Sequence, residues 1–350
     1  MTEAALEPLE PGADFAPDGG REAAGRSPWA IAGTRLLANK IAMAGFALLL
    51  IVIAVSFSAP LYAKHVAHTD PFQSNLSGTT IVDDKRVPVL EQGGGALKLG
   101  EIPIGPTWHG NYFLGADNQG RDVAARVLYG GRASLTIGIA SALLSSLIAT
   151  IVGLVAGFFG GITDSLLSRL MDLIWAFPVY LLTISLATIL LTRGLRIGPL
   201  TVDPASLWLP TLIIAVVWVP YIARPVRGQV LSIREKEFVE AAVAQGFSNL
   251  RLMFGEVLPN VAPVVIVLLP LMISYTILTE AALSFLSIGV QPPKASWGTI
   301  IDDGQALLYT RPWVAIAPGI MIVLTVLALN VLGDGVRDAL DPRAKLRIKA

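Results

Sequence analysis

The stretch ASLTIGIASALLSSLIATIVGLVAGFFGGIT, from Ala133 to Thr163, contains 31 consecutive residues without a charged side chain. A helix needs about 20 predominantly apolar residues to cross the hydrocarbon core of a bilayer. Buried helices of soluble proteins are usually shorter than this run and have a polar face. The stretch therefore predicts a helix that spans a membrane.

Five further uncharged runs reach the length that a membrane span needs. They are Ile41 to Ala63, Leu173 to Thr192, Pro204 to Ala223, Val257 to Thr279 and Pro312 to Gly333, of 23, 20, 20, 23 and 22 residues. The chain has 53% hydrophobic and 15% charged residues, whereas soluble domains carry about 25% charge. We therefore predict an all-α integral membrane protein with six transmembrane helices.

Lysine and arginine are distributed unevenly between the loops. If the N-terminus is cytoplasmic, 15 of the 26 basic residues lie in cytoplasmic segments and four in the two short outer loops. The other seven lie between Lys64 and Arg132, a segment long enough to be translocated regardless of charge. This bias predicts that both termini face the cytoplasm. The run from Ile41 lies too far into the chain and is too long for a secretory signal, so we predict an uncleaved anchor.

The runs divide the chain into segments. An acidic, Pro/Gly-punctuated composition predicts disorder at the beginning of the chain. Short β-prone runs such as Thr80 to Val82, with turns such as Gly93 to Gly95, predict a small, partly ordered lobe outside the membrane. In chain order, the predicted segments are a disordered cytoplasmic N-terminus (1–28), an N-terminal anchor helix (29–63), an extracytoplasmic segment (64–130), a five-helix core (131–343) with a long cytoplasmic loop (225–259), and a cytoplasmic tail (344–350).

Several kinds of chemistry are absent from the sequence. It contains no GxxxxGK[ST] loop to cradle nucleotide phosphates, and no HExxH or GxSxG signature of a hydrolase. A formal net charge of zero argues against nucleic acid as a partner, and the absence of cysteine excludes thiolate ligands. His65, His68 and Asp70 are of ligand type, but three such residues in a flexible segment are more typical of surface polarity than of a metal site. We expect no catalytic residue, metal or cofactor in this chain.

Charged residues are also missing from the centres of the six runs, where a charge would by default be functional. Asp172 and Glu280 lie only at run edges. We interpret them as an interfacial cap or as a helix-packing pair such as Arg169 with Asp172. This pattern disfavours a carrier that depends on an intramembrane charge.

The loop between the fourth and fifth runs has the strongest local pattern. Ser232 and Glu235 form a capping box, which predicts the start of a helix. The residues that then follow at helical spacing are Phe238, Ala241, Ala242 and Gln245. The small side chains of Ala241, Ala242 and Ala244 allow another surface to approach closely, and Gly246 can adopt a positive φ where the chain must turn.

A second short helix is predicted directly after this turn. Ser248 can cap it, and Pro259 is expected to end it before the fifth run. Its apolar residues are Leu250, Leu252, Met253 and Phe254. Exposed apolar side chains on two short helices require a partner, and the acidic residues of the loop balance its basic ones. A protein partner is therefore favoured over the membrane surface.

The residues Glu240-Ala241-Ala242, then Gly246, then Leu258-Pro259-Asn260, resemble the EAA loop of bacterial ABC importer permeases. Glu256 departs from this pattern, which has an aliphatic residue there, or a histidine in the peptide-permease branch. The resemblance implies that the loop couples the chain to a separate ATPase. The positions expected to make this contact are Glu240, Ala241, Ala242, Gly246, Leu250, Met253, Phe254, Leu258 and Pro259.

Other positions resemble the C-type permease subunit of the dipeptide, oligopeptide and nickel branch of this family. They are Gly115, Asp117, Gly120, Arg121 and Asp122 before the second run, Asp172 and Pro178 around the third, Gln291, Pro292, Pro293, Trp297 and Gly298 in the last outer loop, and Asp334, Asp341 and Pro342 near the C-terminus. The resemblance covers about Trp29 to Arg343.

The resemblance implies a type I ABC importer permease fold in a bacterial or archaeal cytoplasmic membrane. It implies four kinds of partner: a second homologous permease subunit, two ABC ATPase subunits or domains that bind ATP and Mg, an extracytoplasmic solute-binding protein, and membrane lipid. The transported solute would be a peptide, but the branch also includes permeases for nickel and glutathione. A secondary carrier or channel, or a membrane-embedded enzyme, remains the alternative, and would need a coupling charge or a catalytic constellation.

Overall fold

The computed structural model describes residues 27–82, 85–92, 100–197 and 200–341. Four predictions lie outside these described residues. They concern the disordered N-terminus as far as residue 26, the turn at Gly93 to Gly95, the family position Pro342, and the tail 344–350.

Helices make up most of the described chain. In order they are α1 (Pro28–Ala38), α2 (Lys40–Phe57), α3 (Ala59–Tyr62), α4 (Val123–Phe159), α5 (Gly161–Trp175), α6 (Val179–Arg193), α7 (Trp208–Arg234), α8 (Glu237–Ala244), α9 (Asn249–Arg251), α10 (Leu258–Phe285), α11 (Trp297–Gly304) and α12 (Trp313–Leu340). Wider π-helical turns cover Ala63–Ala67 and Leu252–Val257, and a 3₁₀ turn covers Gln305–Leu307.

Short strands form antiparallel hairpins in the loops of the described residues. The strands are β1 (Thr79–Val82), β2 (Lys85–Pro88), β3 (Leu90–Gln92), β4 (Glu101–Pro103), β5 (Leu195–Ile197) and β6 (Leu200–Val202), paired β1–β2, β3–β4 and β5–β6. In the first hairpin Thr79 lies opposite Pro88. The prediction of β structure at Thr80 to Val82 is confirmed.

Five helical segments of the described chain are long and apolar enough to cross a membrane. They are α2, α4, α7, the continuous segment Asn249–Phe285, and α12. The sixth candidate is the pair α5 and α6, which is bent by 86° at its break. The prediction of one continuous helix over Leu173 to Thr192 is therefore wrong. Pro178 explains the break, because proline lacks an N–H donor and disfavours helical geometry in the residue before it.

The predicted N-terminal anchor, 29–63, is likewise not a single helix. Asn39 separates α1 from α2 in an extended conformation, with φ −79° and ψ 98°. Its side-chain oxygen accepts hydrogen bonds from the backbone N–H groups of Ile41 and Ala42, both at 3.1 Å. Asparagine is a preferred N-cap because it satisfies donors that have no partner within the helix. The membrane-spanning part of this segment is α2.

Helix α4 begins at Val123, before the predicted core boundary at residue 131. Its 37 residues correspond to about 55 Å at about 1.5 Å per residue, which exceeds the thickness of the hydrocarbon core. Leu143, Leu147 and Ile151 are each at least 51% exposed and recur every four residues, as expected for a stripe that faces lipid. The first turns of α4 therefore extend beyond the apolar layer.

Helix α7 runs parallel to α4 and packs along the second half of α4. At the middle of α4 and the beginning of α7, Ser141 Oγ donates to the carbonyl oxygen of Thr211 at 3.1 Å. Near their ends, an added Cβ on Gly153 would lie 2.6 Å from the carbonyl oxygen of Ala223. An added Cβ on Gly157 would lie 2.7 Å from Val230 Cβ. Such close approach of two backbones requires small residues at the interface.

The parallel direction of α4 and α7 defines two ends of the protein. We call the end where both helices begin, near the three hairpins, the hairpin end. We call the end where both helices finish, near α8 and α9, the loop end. At the loop end Arg234 Nη1 donates to the carbonyl oxygens of Gly157 and Phe158, both at 3.2 Å, which fixes the end of α7 to the end of α4.

Ion pairs attach α5 to α7 near the loop end. Arg224 Nη2 lies 2.7 Å from Asp172 Oδ1, and Arg227 forms two hydrogen bonds to Asp164. The proposed pairing of Arg169 with Asp172 is therefore wrong. The reason is that α5 packs against α7, where Arg224 forms the ion pair with Asp172.

Glu280 has a different environment from the one predicted. It is fully buried inside α10, which continues beyond the uncharged run, and its Oε1 accepts a hydrogen bond from Ser284 Oγ at 2.7 Å. It therefore does not act as an interfacial cap.

The contact between α4 and α7 yields a stability prediction. Gly153→Ala places a methyl group against the backbone of α7, so we expect a loss of about 1–3 kcal/mol, as for other overpacked cores. The matched control is Gly228→Ala, since an added Cβ there meets no atom within 4 Å and alanine favours a helix. The check is the thermal unfolding midpoint of both variants in detergent. Equal midpoints for the two variants would contradict the close contact.

Candidate functional site

The loop-end connection between α7 and α10 begins later than predicted. Helix α7 continues to Arg234, so Ser232 lies inside it, and the helix cap before α8 is Lys236, without a side-chain hydrogen bond. The predicted capping box of Ser232 and Glu235 is therefore wrong, as is a loop boundary at residue 225. The reason is that Val230 and Ile233 are buried in the core, which stabilises the last turns of α7.

The turn between α8 and α9 matches the prediction. Gly246 has a φ of +80°, and its N–H donates to the carbonyl oxygen of Val243 at 2.9 Å. Ser248 Oγ then accepts a hydrogen bond from the N–H of Arg251 at 3.4 Å and caps the next helix. Glycine adopts this left-handed conformation without the steric cost that a Cβ brings.

The second short helix is continuous with the following span. Residues Asn249–Phe285 form one helical segment, and Pro259 lies in the first turn of α10 instead of ending the preceding helix. The wider turn at Leu252–Val257 accommodates the proline, which would otherwise clash with a carbonyl one turn earlier. The connection therefore passes directly from α9 into a spanning helix.

The predicted contact residues divide into exposed and buried groups. Met253 is 4% exposed and Ala242 6% exposed, so neither can reach a partner as predicted. Leu258 is half-buried, whereas Glu240, Ala241, Gly246 and Pro259 are exposed. The large apolar side chains that remain exposed are Phe238, Val243, Leu250 and Phe254, at 44%, 56%, 66% and 57%. We call these four residues the knob surface.

Helical periodicity explains which residues belong to the knob surface. Val239 and Ala242 point inward from α8, so Phe238 and Val243 are left on its outer side. Leu252 and Met253 point inward after α9, which leaves Leu250 and Phe254 outside. Val243 was missed from the sequence, because it follows Phe238 by five residues and so falls outside the three- and four-residue spacing that places side chains on one helix face. An exposed apolar patch of this kind marks an interaction surface.

A second candidate site, which is polar, lies at the hairpin end. Asp117 is fully buried, and its Oδ2 accepts hydrogen bonds from Arg121 Nε at 2.7 Å and from Arg126 Nη1. Asp303, on α11, accepts from Arg121 Nη2 at 2.9 Å and from Arg126 Nη1 at 2.8 Å. We call these four residues the ion cluster. Its two cations and two carboxylates balance, as buried charges require.

The chain before α4 is shaped to hold the ion cluster. At Gly115, an added Cβ would lie 2.7 Å from the carbonyl oxygen of Ile104. At Gly120, it would lie 2.3 Å from the carbonyl oxygen of Asn75. Asp122 caps α4 by accepting from the N–H of Ala125 at 3.0 Å, and also from that of Tyr112 at 2.6 Å. Burial raises the pKa of the Asp122 carboxyl, and these backbone hydrogen bonds oppose the shift.

Three residues of the ion cluster, Arg121, Arg126 and Asp303, line a polar cavity of about 660 Å³. The family positions Gln291, Pro292 and Pro293 line another side. Gln291 Nε2 donates to the carbonyl oxygens of Ser287 and Gly289, at 3.3 and 3.1 Å, which holds the loop after α10. The sequence thus indicated Arg121 and the Gln291–Pro293 segment as family positions, but not that they line the same cavity.

Trp297 and Gly298 fix α11 against the spanning helices. Trp297 is fully buried, and its Nε1 donates to the carbonyl oxygen of Val127 at 3.1 Å. At Gly298 an added Cβ would lie 2.3 Å from the carbonyl oxygen of Ala281. These contacts position Asp303 toward Arg126. Neither Arg126 nor Asp303 was predicted. Arg126 lies five residues after the family position Arg121, whereas Asp303 lies on α11, far away in the sequence, and no local pattern indicates it.

The remaining family positions lie apart from both sites. Pro178 precedes α6 at the bend, and Asp172 pairs with Arg224. Asp334 lines a groove between α10 and α12, and the carbonyl oxygen of Asp341 accepts from Arg35 at 3.3 Å. Within the described ranges, no three histidine or acidic residues are grouped as a metal site would require.

Comparison with known proteins agrees with the predicted resemblance. Residues 149–346 match the model of the binding-protein-dependent transport system inner membrane component, and residues 27–77 match the N-terminal TM domain of oligopeptide transport permease C. The dipeptide transport system permease protein DppC of Alkalihalophilus pseudofirmus is 35% identical over 91% of each chain. The oligopeptide transport system permease protein OppC of Escherichia coli is 36% identical over 92% of this chain and 93% of its own.

Among solved structures, the inward-facing MetNI methionine ABC transporter is 18% identical and has a TM-score of 0.49, covering 61% of this chain and 96% of the matched chain. The family models together cover most of the chain, including the segment with the knob surface. The chain therefore belongs to the family of binding-protein-dependent transport system inner membrane components, as a permease subunit of an ABC importer and not as an enzyme.

Proposed function

We propose that the knob surface docks into a separate ABC ATPase, and that ATP binding and hydrolysis there, with Mg, drive this permease. The observation that carries the proposal is the exposure of Phe238, Val243, Leu250 and Phe254 on one short connection. Four large apolar side chains in water are costly, and a groove on a protein partner would bury them. Glu240 and Ala241, both exposed, would lie at the edge of this contact.

The connection is suited to transmit movement because its two sides are spanning helices. Only Glu235 and Lys236 separate α7 from α8, and α9 is continuous with α10. Deeper in the membrane, Trp218 of α7 stacks on Tyr275 of α10, with ring centroids 5.1 Å apart. Trp218 Nε1 also donates to Thr279 Oγ1 at 3.1 Å. A displaced knob surface would therefore move α7 and α10 together, as in rigid-body switching.

The proposed orientation follows from the distribution of basic residues. An ATPase that uses cellular ATP requires the loop end to face the cytoplasm, and Arg224, Arg227, Arg234 and Lys236 lie near that end. The hairpin end would then face outward, where a solute-binding protein would deliver its ligand to the polar cavity. Both termini would be cytoplasmic.

The proposed assembly also contains a second, homologous permease. The relatives that resemble this chain are named as dipeptide and oligopeptide permeases, so we propose a peptide as the transported solute. The polar cavity beside the ion cluster, with charges of both signs, is compatible with a solute that carries amide groups and charged termini.

Gly246→Asp tests the docking proposal. The residue has a positive φ, and an added Cβ meets no atom within 4 Å, so aspartate, which tolerates this conformation, can be accommodated in the free permease. A desolvated carboxylate would be costly within the docked surface, and we expect uptake by cells to fall at least about ten-fold. The measurement is uptake of a labelled peptide, normalised to permease in the membrane.

Gly161→Asp is the matched control for this variant. Gly161 also has a positive φ and open space around an added Cβ, and it lies near the loop end but outside the connection. We expect uptake close to wild type for this control. Normal uptake with Gly246→Asp would overturn the docking proposal.

The double substitution Leu250→Ser, Phe254→Ser tests the apolar contact itself. Both side chains are more than half exposed, so the free permease should fold normally, whereas the contact with the ATPase should weaken by at least about ten-fold. The check is the amount of ATPase that copurifies with the tagged permease. The second permease recovered in the same sample serves as internal control, and undiminished ATPase recovery would count against the knob surface.

A further inference from the structure

Arg132, near the beginning of α4, has an unusual combination of neighbours. Its guanidinium lies 5.6 Å from the ring centroid of Phe57 and 5.5 Å from that of Tyr129. Within the described residues it forms neither an ion pair nor a hydrogen bond. Aromatic faces attract the cation, but they satisfy none of its five N–H donors. The side chain therefore holds a positive charge in place with its donors free.

Lys294 is a second cation at the same place. Arg132 and Lys294 both line a groove of about 340 Å³, and no carboxylate of the described chain lines it. Lys294 Nζ donates to the carbonyl oxygen of Ala205 at 2.9 Å, which leaves two of its three donors for another acceptor. The groove thus presents two positive charges without a negative one.

Apart from the two cations, the groove is largely apolar. Its other lining residues are Phe57, Phe72, Tyr129, Ala133, Thr136, Leu207 and Ala295. An inorganic anion or a peptide carboxylate could use the cations but not this wall. A ligand that matches both parts must have an anionic group attached to a hydrocarbon chain.

The position of the groove in the membrane agrees with such a ligand. Arg132 immediately precedes the uncharged run that begins at Ala133, and Phe57 is the last residue of α2. Trp208, the first residue of α7 and next to Leu207 in the groove, is 60% exposed. Exposed tryptophan is typical of the boundary between headgroups and acyl chains. The groove therefore opens where a phospholipid has its phosphate.

We propose that this groove binds one anionic phospholipid. The phosphate lies between the Arg132 guanidinium and the Lys294 ammonium, and an acyl chain packs along Phe57, Ala133 and Leu207. The wall offers no carboxylate, and the rings of Phe57 and Tyr129 already face the Arg132 guanidinium, so a headgroup with its own positive charge would be repelled by the two cations. Phosphatidylglycerol therefore binds more tightly than phosphatidylcholine. The site is separate from the knob surface, but Phe72 and Lys294 also line the polar cavity that the proposed solute would enter.

The test is a lipid titration of the purified full complex, followed by native mass spectrometry. Phosphatidylglycerol should remain bound to the permease at concentrations at which phosphatidylcholine does not. A basic residue near a membrane surface contributes about 1 kcal/mol to anionic lipid binding, which corresponds to about five-fold in affinity. We therefore expect Lys294→Gln to weaken phosphatidylglycerol binding about five-fold, and the double substitution Arg132→Gln, Lys294→Gln about 25-fold.

Two controls separate this site from general charge effects. Arg132→Lys keeps a charge that pairs with phosphate but loses the planar guanidinium that faces Phe57 and Tyr129, so it should weaken phosphatidylglycerol binding by less than the about five-fold expected for the loss of one charge. The double substitution Arg193→Gln, Arg196→Gln removes two exposed cations from the same end outside the groove and should leave binding unchanged. If the double Gln variant does not assemble, the exposed single change at Lys294 still decides the outcome.

Three results would overturn the proposal. They are equal retention of the two lipids, unchanged binding by Lys294→Gln, or displacement of the lipid by inorganic phosphate at equimolar concentration. The last result would show that the cations bind a free anion and that the apolar wall contributes nothing.

Discussion

The close parallel contact between α4 and α7 is the constraint on which the rest of the structure depends. In a bilayer, two helices gain little from hiding apolar surface, so they associate through van der Waals packing at short distance. Gly153 and Gly157 allow that distance, and Arg234 closes the contact by donating to the last carbonyl groups of α4. A side chain at either glycine would clash with α7, since an added Cβ would lie 2.6 Å from the carbonyl oxygen of Ala223 at Gly153 and 2.7 Å from Val230 Cβ at Gly157.

This contact also connects the two ends of the permease. The beginning of α4 holds Asp122 and Arg126, which organise the ion cluster and the polar cavity at the hairpin end. The end of α7 leads within two residues into α8 and the knob surface. Because the two helices pack as one body, a displacement at the loop end has a direct physical route to the hairpin end. After the bend at Pro178, α6 packs against this body through the buried Ala187.

The two ends of the permease differ in the side chains that they present: paired charges at the hairpin end and exposed apolar groups at the loop end. At the hairpin end, charges of both signs are brought together, three of the four are buried, and each carboxylate keeps a cationic partner. At the loop end, large apolar side chains are left exposed, which is typical of surfaces that bind another protein. The groove at Arg132 and Lys294 combines both features on a smaller scale, with unpaired cations beside an apolar wall.

The sequence by itself determined the class of fold and the identity of the loop, because both depend on local pattern. Uncharged runs of about 20 residues have the length and composition of a helix that crosses the hydrocarbon core of a bilayer. Gly246 specifies a turn through its backbone, and Ser248 specifies a helix cap through its side chain. The break at Pro178 was also visible locally, but the length of the uncharged run concealed it.

Only the tertiary structure decided which residues meet. Ser232 and Glu235 form a plausible cap in isolation, yet the burial of Val230 and Ile233 extends α7 through them. Met253 and Leu250 are both apolar and lie on different sides of one helical segment, and tertiary packing determines that the side with Met253 is buried and the side with Leu250 exposed. Asp303 forms a hydrogen bond with Arg126, 177 residues away in the sequence. Asp172 forms an ion pair with Arg224 and not with Arg169. Such pairs depend on where folded helices cross, and helical spacing along a single segment contains no information about that crossing.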